Sequence, residues 1–161
     1  MRQGILRGDV AVLREGVSLG WAFGLGSLEQ LARVAETLET GIYRRGALEA
    51  VPEGVRVRLD NPPLRIGAFR SVGILWDGRP VDPTSATVAT DSRPAPRILS
   101  DVSDADPLCL GVGEGSEYRF PTEPGDTEVE HRVRIEWTGR AIPPRVWLEF
   151  RDQIRRGPGS R

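Results

Sequence analysis

The chain has a single imidazole, His131, next to Glu130 in EHRVRIEWTG (130–139). Any Ser-His-Asp relay, Cys-His pair or histidine-based metal site inside this chain would have to use it. Period-two alternation puts His131 on the same face as Val133, Ile135 and Trp137, so the pattern predicts a packed or edge histidine rather than a general base. Carboxylates are the next resource. DVSDAD (101–106) brings Asp101, Asp104 and Asp106 together as the oxygen donors calcium takes, yet it lacks the glycine and distal glutamate of an EF-hand loop and reads as a solvated acidic loop. An enzyme built from Asp101, Asp104 or Glu130 around an added metal stays open, because carboxylates that meet only on folding leave no local signature. GVGEGS (111–116) has three alternate glycines, as a phosphate cradle would, but no capped helix follows to supply a dipole, so a turn is expected. Cys109, the lone thiol, sits between apolar neighbours in PLCLGV; it has no disulfide partner and is expected to be a buried small hydrophobe. A nucleophile elbow, a Walker loop and paired zinc cysteines are all absent from the sequence. No residue of this chain is therefore assigned to catalysis or to a metal, and no cofactor is expected in it.

Residues suited to recognition are better represented. Four tryptophans, Trp21, Trp76, Trp137 and Trp147, all fall in or at the end of strand-like runs. Most are expected in the core, but tryptophan is also enriched where proteins dock. Two segments, NPPLRIGAF (61–69) and IPPRVWLEF (142–150), place an arginine and an aromatic after a Pro-Pro step. A stiff extended segment loses little entropy on docking, although prolines that merely guard edge strands account for the pattern equally well. The contact candidates are Arg65, Phe69, Trp76, Arg145 and Trp147.

The elements that must position these residues are mostly strands. Val17, Leu19, Trp21 and Phe23 alternate as one strand. SLEQLARVAETLETG opens with Ser27 three residues before Gln30 and repeats Leu28, Leu31, Val34, Ala35 and Leu38 at helical spacing, which predicts an amphipathic helix over about 27–39, ended by Gly41. Beyond it, short runs rich in Val, Ile and Leu alternate with Pro and Gly. VRVRLD (55–60) turns its arginines to a solvent or partner face, and Asp77-Gly78 marks a tight hairpin within 69–81. LCLGV (108–112), YRF (118–120), 130–139 and 144–152 are further strands, and 89–107 is a long connection with one short strand near Arg97 to Leu99. Short strands at this spacing, joined by turns, predict a mainly β fold: an antiparallel β-sandwich, immunoglobulin-like or jelly-roll-like, with one α-helix in the N-terminal half. One domain is expected over 1–152 with the helix as an insertion, followed by a flexible tail over 153–161.

Composition supports a soluble domain. Of 161 residues, 39% are hydrophobic and 28% charged, a balance that permits a core. No apolar run reaches the roughly 18 residues of a membrane span, and Asp9, Arg14 and Glu15 interrupt what a signal peptide would keep apolar. A cytoplasmic protein that does not bind membrane is expected. The 22 basic residues are all arginine and offset 23 acids to a net charge of −1, so the basic excess of a nucleic-acid binder is missing.

The segment LRIGAFRSVGILWDGRPVDP (64–83), with GWAF (20–23) before it and the His-X-Val strand at His131 to Val133 after it, resembles the small β subunit of the C-glycoside deglycosidases. Where that family carries a tyrosine-rich YRG element this chain has LRIG (64–67), with IYRRG (42–46) upstream. The resemblance implies a sandwich that packs on a larger TIM-barrel subunit of the sugar isomerase type, the barrel holding a divalent metal and the acid and base groups. The expected function is thus a non-catalytic accessory subunit of a metal-dependent, carbohydrate-active enzyme. The alternatives are self-association, or a stand-alone sandwich that binds carbohydrate or another ligand by stacking on tryptophan.

Overall fold

The computed structural model describes residues 17–22, 42–44, 46–61, 66–122, 128–140 and 145–156. They form β1 (Val17–Ala22), β2 (Leu48–Val51), β3 (Gly54–Asp60), β4 (Ile66–Trp76), β5 (Arg79–Pro80), β6 (Thr87–Thr90), β7 (Arg97–Ile98), β8 (Leu108–Leu110), β9 (Gly115–Phe120), β10 (Glu130–Gly139), β11 (Arg145–Gln153) and β12 (Arg155–Arg156). One sheet runs β1-β11-β10-β4-β5, with β8 also paired to β4; the other runs β12-β2-β3-β9-β6-β7. The pairings are antiparallel except for β12 on β2. The fold is mainly β, an antiparallel sandwich as expected. The helix expected at 27–39 lies outside the described residues.

Local chemistry explains where the strands turn. Asp77 and Gly78 both take positive φ, 49° and 81°, the type I′ geometry whose twist matches the flanking β4 and β5. Apolar alternation then sorts each strand into two faces. On β10, His131, Val133, Ile135 and Trp137 point inward; on β11, Val146, Leu148, Phe150 and Asp152 do so. In the second sheet, Leu48, Val55, Val57, Leu59, Val88, Tyr118 and Phe120 join the same buried cluster. Burial of this apolar area is the main force holding the sheets together.

Aromatic contacts stitch the two layers. Trp76 meets Phe120 edge-on at 5.7 Å between centroids, and Trp137 meets Tyr118 edge-on at 6.1 Å. The Trp137 Nε1–H donates to the Tyr118 hydroxyl at 2.9 Å, so the indole's polar atom is satisfied inside the core. Burial pushes that hydroxyl's pKa up to about 12, and bonds from Ser116 and Trp137 only partly oppose the shift. At one end, Tyr43 stacks on Phe150 at 3.7 Å, and its hydroxyl and the Gly46 amide both donate to the buried Asp152 carboxylate.

Two expectations are corrected. Cys109 is exposed, because β8 alternates and Leu108 and Leu110 take the inward positions. The structured chain also passes the boundary drawn at 152: Ile154 is 5% exposed, and Arg155 and Arg156 pair with β2. The tail sequence shows no apolar anchor after 154, but the anchor is Ile154 itself, one residue before the tail's arginines.

The cross-sheet hydrogen bond predicts an asymmetry between two core substitutions. Tyr118→Phe leaves the Trp137 N–H buried without an acceptor and is expected to cost about 1–3 kcal/mol. Phe150→Ala opens a cavity and is expected to cost about 3–5 kcal/mol. Equilibrium denaturant unfolding of both variants checks the order and the sizes.

Candidate functional site

The sequence-derived candidates separate on folding. Arg145 and Trp147 come together on the outward face of β11. Phe69 is 2% exposed in the core, tilted against Trp137, and offers no contact surface; an irregularity in the β4–β10 register at Thr138/Gly139 breaks the β4 alternation, so Phe69 faces inward although it is three residues from the inward Val72. Trp76 is half-buried at the end of the sandwich, stacked on His131 at 4.5 Å and edge-on to Phe120, so it too serves packing. Arg65 and both Pro-Pro steps, at 62–63 and 143–144, lie outside the described residues.

Around Arg145 and Trp147 the outward rows of β10 and β11 build a connected surface. Register pairs Thr138 with Arg145, Glu136 with Trp147 and Arg134 with Glu149. Guanidinium carbons of Arg134 and Arg145 lie over the Trp147 ring at 4.9 and 5.8 Å. Glu136 holds both cations, one oxygen 2.8 Å from Arg134 Nε and the other 2.6 Å from Arg145. Glu149 approaches Arg134 at 4.0 Å. Trp147 is thus fixed between two arginines that one carboxylate positions. In the same cross-strand row, Gly73 of β4 pairs with Glu136, and a Cβ built there meets nothing within 4 Å. Gly20 of β1 pairs with Trp147 on the other side. Among the described residues the flank of the glutamate at Gly73 is therefore open.

The outward face of the second sheet differs. Arg56 pairs with Glu49 and Glu117, Arg58 with Asp91, and Arg119 with Glu117, with no aromatic ring among them. Such exposed ladders contribute little and stay compatible with solvent.

His131 is buried as its alternation predicts. Its Nδ1 lies 2.8 Å from Asp77 Oδ2, which assigns the proton to Nδ1, while the other Asp77 oxygen accepts the Arg132 amide at 2.8 Å. Partial burial raises the Asp77 carboxyl, but the bonds from His131 and from the Arg132 amide outweigh it and hold the group below the usual carboxylate range. Among the described residues His131 Nε2 is buried without a partner. Among the described residues no serine or cysteine is within hydrogen-bond reach of it, and the Asp77-His131 pair ties the hairpin turn to β10.

The acidic and glycine-rich loops are also accounted for. Asp106 of the 101–106 run is held by Arg93 at 3.1 Å and Arg97 at 2.8 Å, and Asp104 by Arg140 at 3.1 Å. These acids are spread over separate arginines. Among the described residues no three His, Cys, Asp or Glu side chains gather as metal ligands. Within 111–116, Glu114 accepts from the Gly111 amide and from both the amide and hydroxyl of Ser92, and Asp91 accepts the Gly115 amide at 2.6 Å. Residues 111–114 form a turn clamped by Glu114, as the missing helix led one to expect, while Gly115 and Ser116 already belong to β9.

Sequence reasoning had selected Arg145 and Trp147 but not Arg134, Glu136 or Asp77. The available signal was the polar half of the β10 alternation, with Arg132, Arg134 and Glu136 at every second position. Which β11 residues they would meet depends on the strand register, and no local pattern encodes it. No known family model matches this chain, and no curated protein matches it. No helix among the described residues is long and apolar enough to cross a membrane.

The Glu114 clamp sets a pH dependence. The Ser92 hydroxyl, and then the Gly111 amide, lower its carboxyl from the ordinary 4.5 to about 2. A folded-state pKa below the unfolded one means the clamp stabilises fully above 4.5 and is lost as pH falls toward 2. Melting temperature is expected to drop through that acid window, and Glu114→Gln to flatten the drop; thermal unfolding followed by circular dichroism against pH checks both.

Proposed function

We propose that this chain is a non-catalytic accessory subunit that docks on a larger partner through the outward face of β10 and β11. The observation that carries this is the Trp147 ring held between Arg134 and Arg145 by Glu136 on an outward sheet face. Tryptophan and arginine dominate the energetics of protein interfaces, and side chains already fixed in place lose less entropy on docking. Arginine also keeps its charge and its planar fork at a partly desolvated contact. The second sheet, with its exposed ion-pair ladders and no ring, has no comparable anchor.

The partner in this proposal is a metal-dependent TIM-barrel enzyme acting on C-glycosides or related sugars, which supplies the metal and the acid and base groups. Its support is the resemblance carried by residues 64–83, 20–23 and 131–133 together with the sandwich fold that the resemblance implies. A cytoplasmic setting belongs to the same proposal. Sugar stacking on Trp147 is less favoured, because a sugar's C–H face would compete with guanidinium groups already over the ring.

Co-expression with the sugar isomerase-type barrel encoded nearest its gene is the direct test. Co-elution is expected, with activity requiring both chains. Trp147→Ala is expected to weaken association by about 2 kcal/mol or more, roughly 30-fold in Kd, without unfolding the sandwich. Arg145→Glu should do at least as much. A chain that remains a monodisperse monomer, binds no such enzyme and leaves its activity unchanged would overturn the proposal. Tryptophan fluorescence that responds to sugars alone would replace it with the carbohydrate-binding alternative.

A further inference from the structure

The outward row of β10 and β11 continues past the tryptophan to a pair that breaks its charge logic. Arg134 faces Glu149 across the strands, but one step along Arg132 faces Arg151. Like charges directly opposite on a sheet face destabilise it. Arg134 and Arg145 both have carboxylates. Among the described residues, neither the Arg132 nor the Arg151 guanidinium has a hydrogen bond or ion pair. Both are exposed, and with Asp77 and Glu130 they line an open cleft of about 270 Å³.

The cleft is held in shape from behind. Asp77 sits at positive φ in the hairpin turn and is tied to His131 through one oxygen and to the Arg132 amide through the other. The Arg132 amide and carbonyl both bond to Asp77, since the Asp77 N–H donates to the Arg132 oxygen at 2.8 Å. A Cβ added at Gly78 would lie 3.0 Å from the Arg132 guanidinium, so the absence of a side chain in the turn leaves that group room beside it. The backbone that carries Arg132 is therefore pinned at two atoms, its amide and its carbonyl, while its guanidinium makes no hydrogen bond among the described residues.

We propose that Arg132 and Arg151 form a binding site for an oxyanion, a phosphate or a carboxylate carried by a small hydroxyl-bearing molecule. Two forked guanidiniums lining one cleft can each donate paired hydrogen bonds to such a group, and its charge offsets the repulsion between them. Asp77 in the hairpin turn, held ionised by His131 and the Arg132 amide, accepts from hydroxyl groups next to the anionic head and disfavours a ligand that is negatively charged throughout. The site does not depend on the accessory-subunit proposal, since it uses other residues of the row.

The test follows the arginine Nε–H signals of the full chain by NMR while inorganic phosphate, and separately gluconate, is added against sodium chloride at matched ionic strength. Saturable shifts of Arg132 and Arg151, with Arg58 of the other sheet unmoved, are expected for at least one probe. Phosphate alone or gluconate alone supports the site and identifies its head group. Arg151→Gln and Arg132→Gln should each weaken binding roughly tenfold, the loss of one charge-assisted pair of bonds. If either variant fails to fold, the other and the wild-type titration still decide. No saturation by either probe beyond the chloride control, equal movement of Arg58, or unchanged binding in a folded variant would overturn the proposal.

Discussion

The antiparallel register of β10 against β11, from Glu130 opposite Gln153 to Thr138 opposite Arg145, governs the rest of the molecule. Because side chains alternate, this one alignment sets two rows at once. Inward it matches Val133 with Phe150 and Ile135 with Leu148, which are the centre of the core. Outward it matches Arg134 with Glu149 and Glu136 with Trp147. A slip of one residue would send the arginines into the core and the valines to solvent, so the apolar row enforces the geometry of the polar row. The recognition surface is positioned by the hydrophobic effect acting on the other side of the same strands.

The inward rows do not stay apolar to their ends. His131 and Asp152 are opposite each other, both buried, where the sandwich closes. Each is compensated by a different neighbour: His131 by Asp77 from the hairpin turn, Asp152 by Tyr43 and Gly46 from the segment leading into β2. A buried polar group with its partner made costs little, and with its partner lost costs a full desolvation. These ties therefore specify how the turn and the β2 approach close over the end of the core. The one imidazole of the chain thereby takes a structural role in this end: its Nδ1 is engaged by Asp77, and among the described residues its Nε2 meets no partner.

Several elements could be read directly. The bounds of β10 are the same in sequence and structure, because ten residues alternate without interruption; β3 and the Asp77-Gly78 turn are nearly as clear. β2 (LEAV) and β6 (TVAT) could not be read, since four residues with alanine and threonine carry no distinct period, and pairing with β3 and β9 makes them strands. β9 also starts earlier than expected, at Gly115, because the turn's end is set by Asp91 accepting the Gly115 amide rather than by the glycines themselves. The apolar neighbours of Cys109 do not bury it, because in a strand the neighbours of a residue face the opposite way.

The sequence by itself determined the class of fold, the polar and apolar faces of the long strands, the presence of Arg145 and Trp147 on one strand face, and the lack of a local catalytic motif. Those features are periodic or local, and period two is a property of the strand backbone alone. The tertiary structure decided which faces meet: that Phe69 and Trp76 pack inside, that Glu136 gathers two arginines around Trp147, and that Arg132 is left facing Arg151. Those outcomes rest on pairing between segments far apart in the chain, where register is selected by the burial of the whole core and no single segment carries the information.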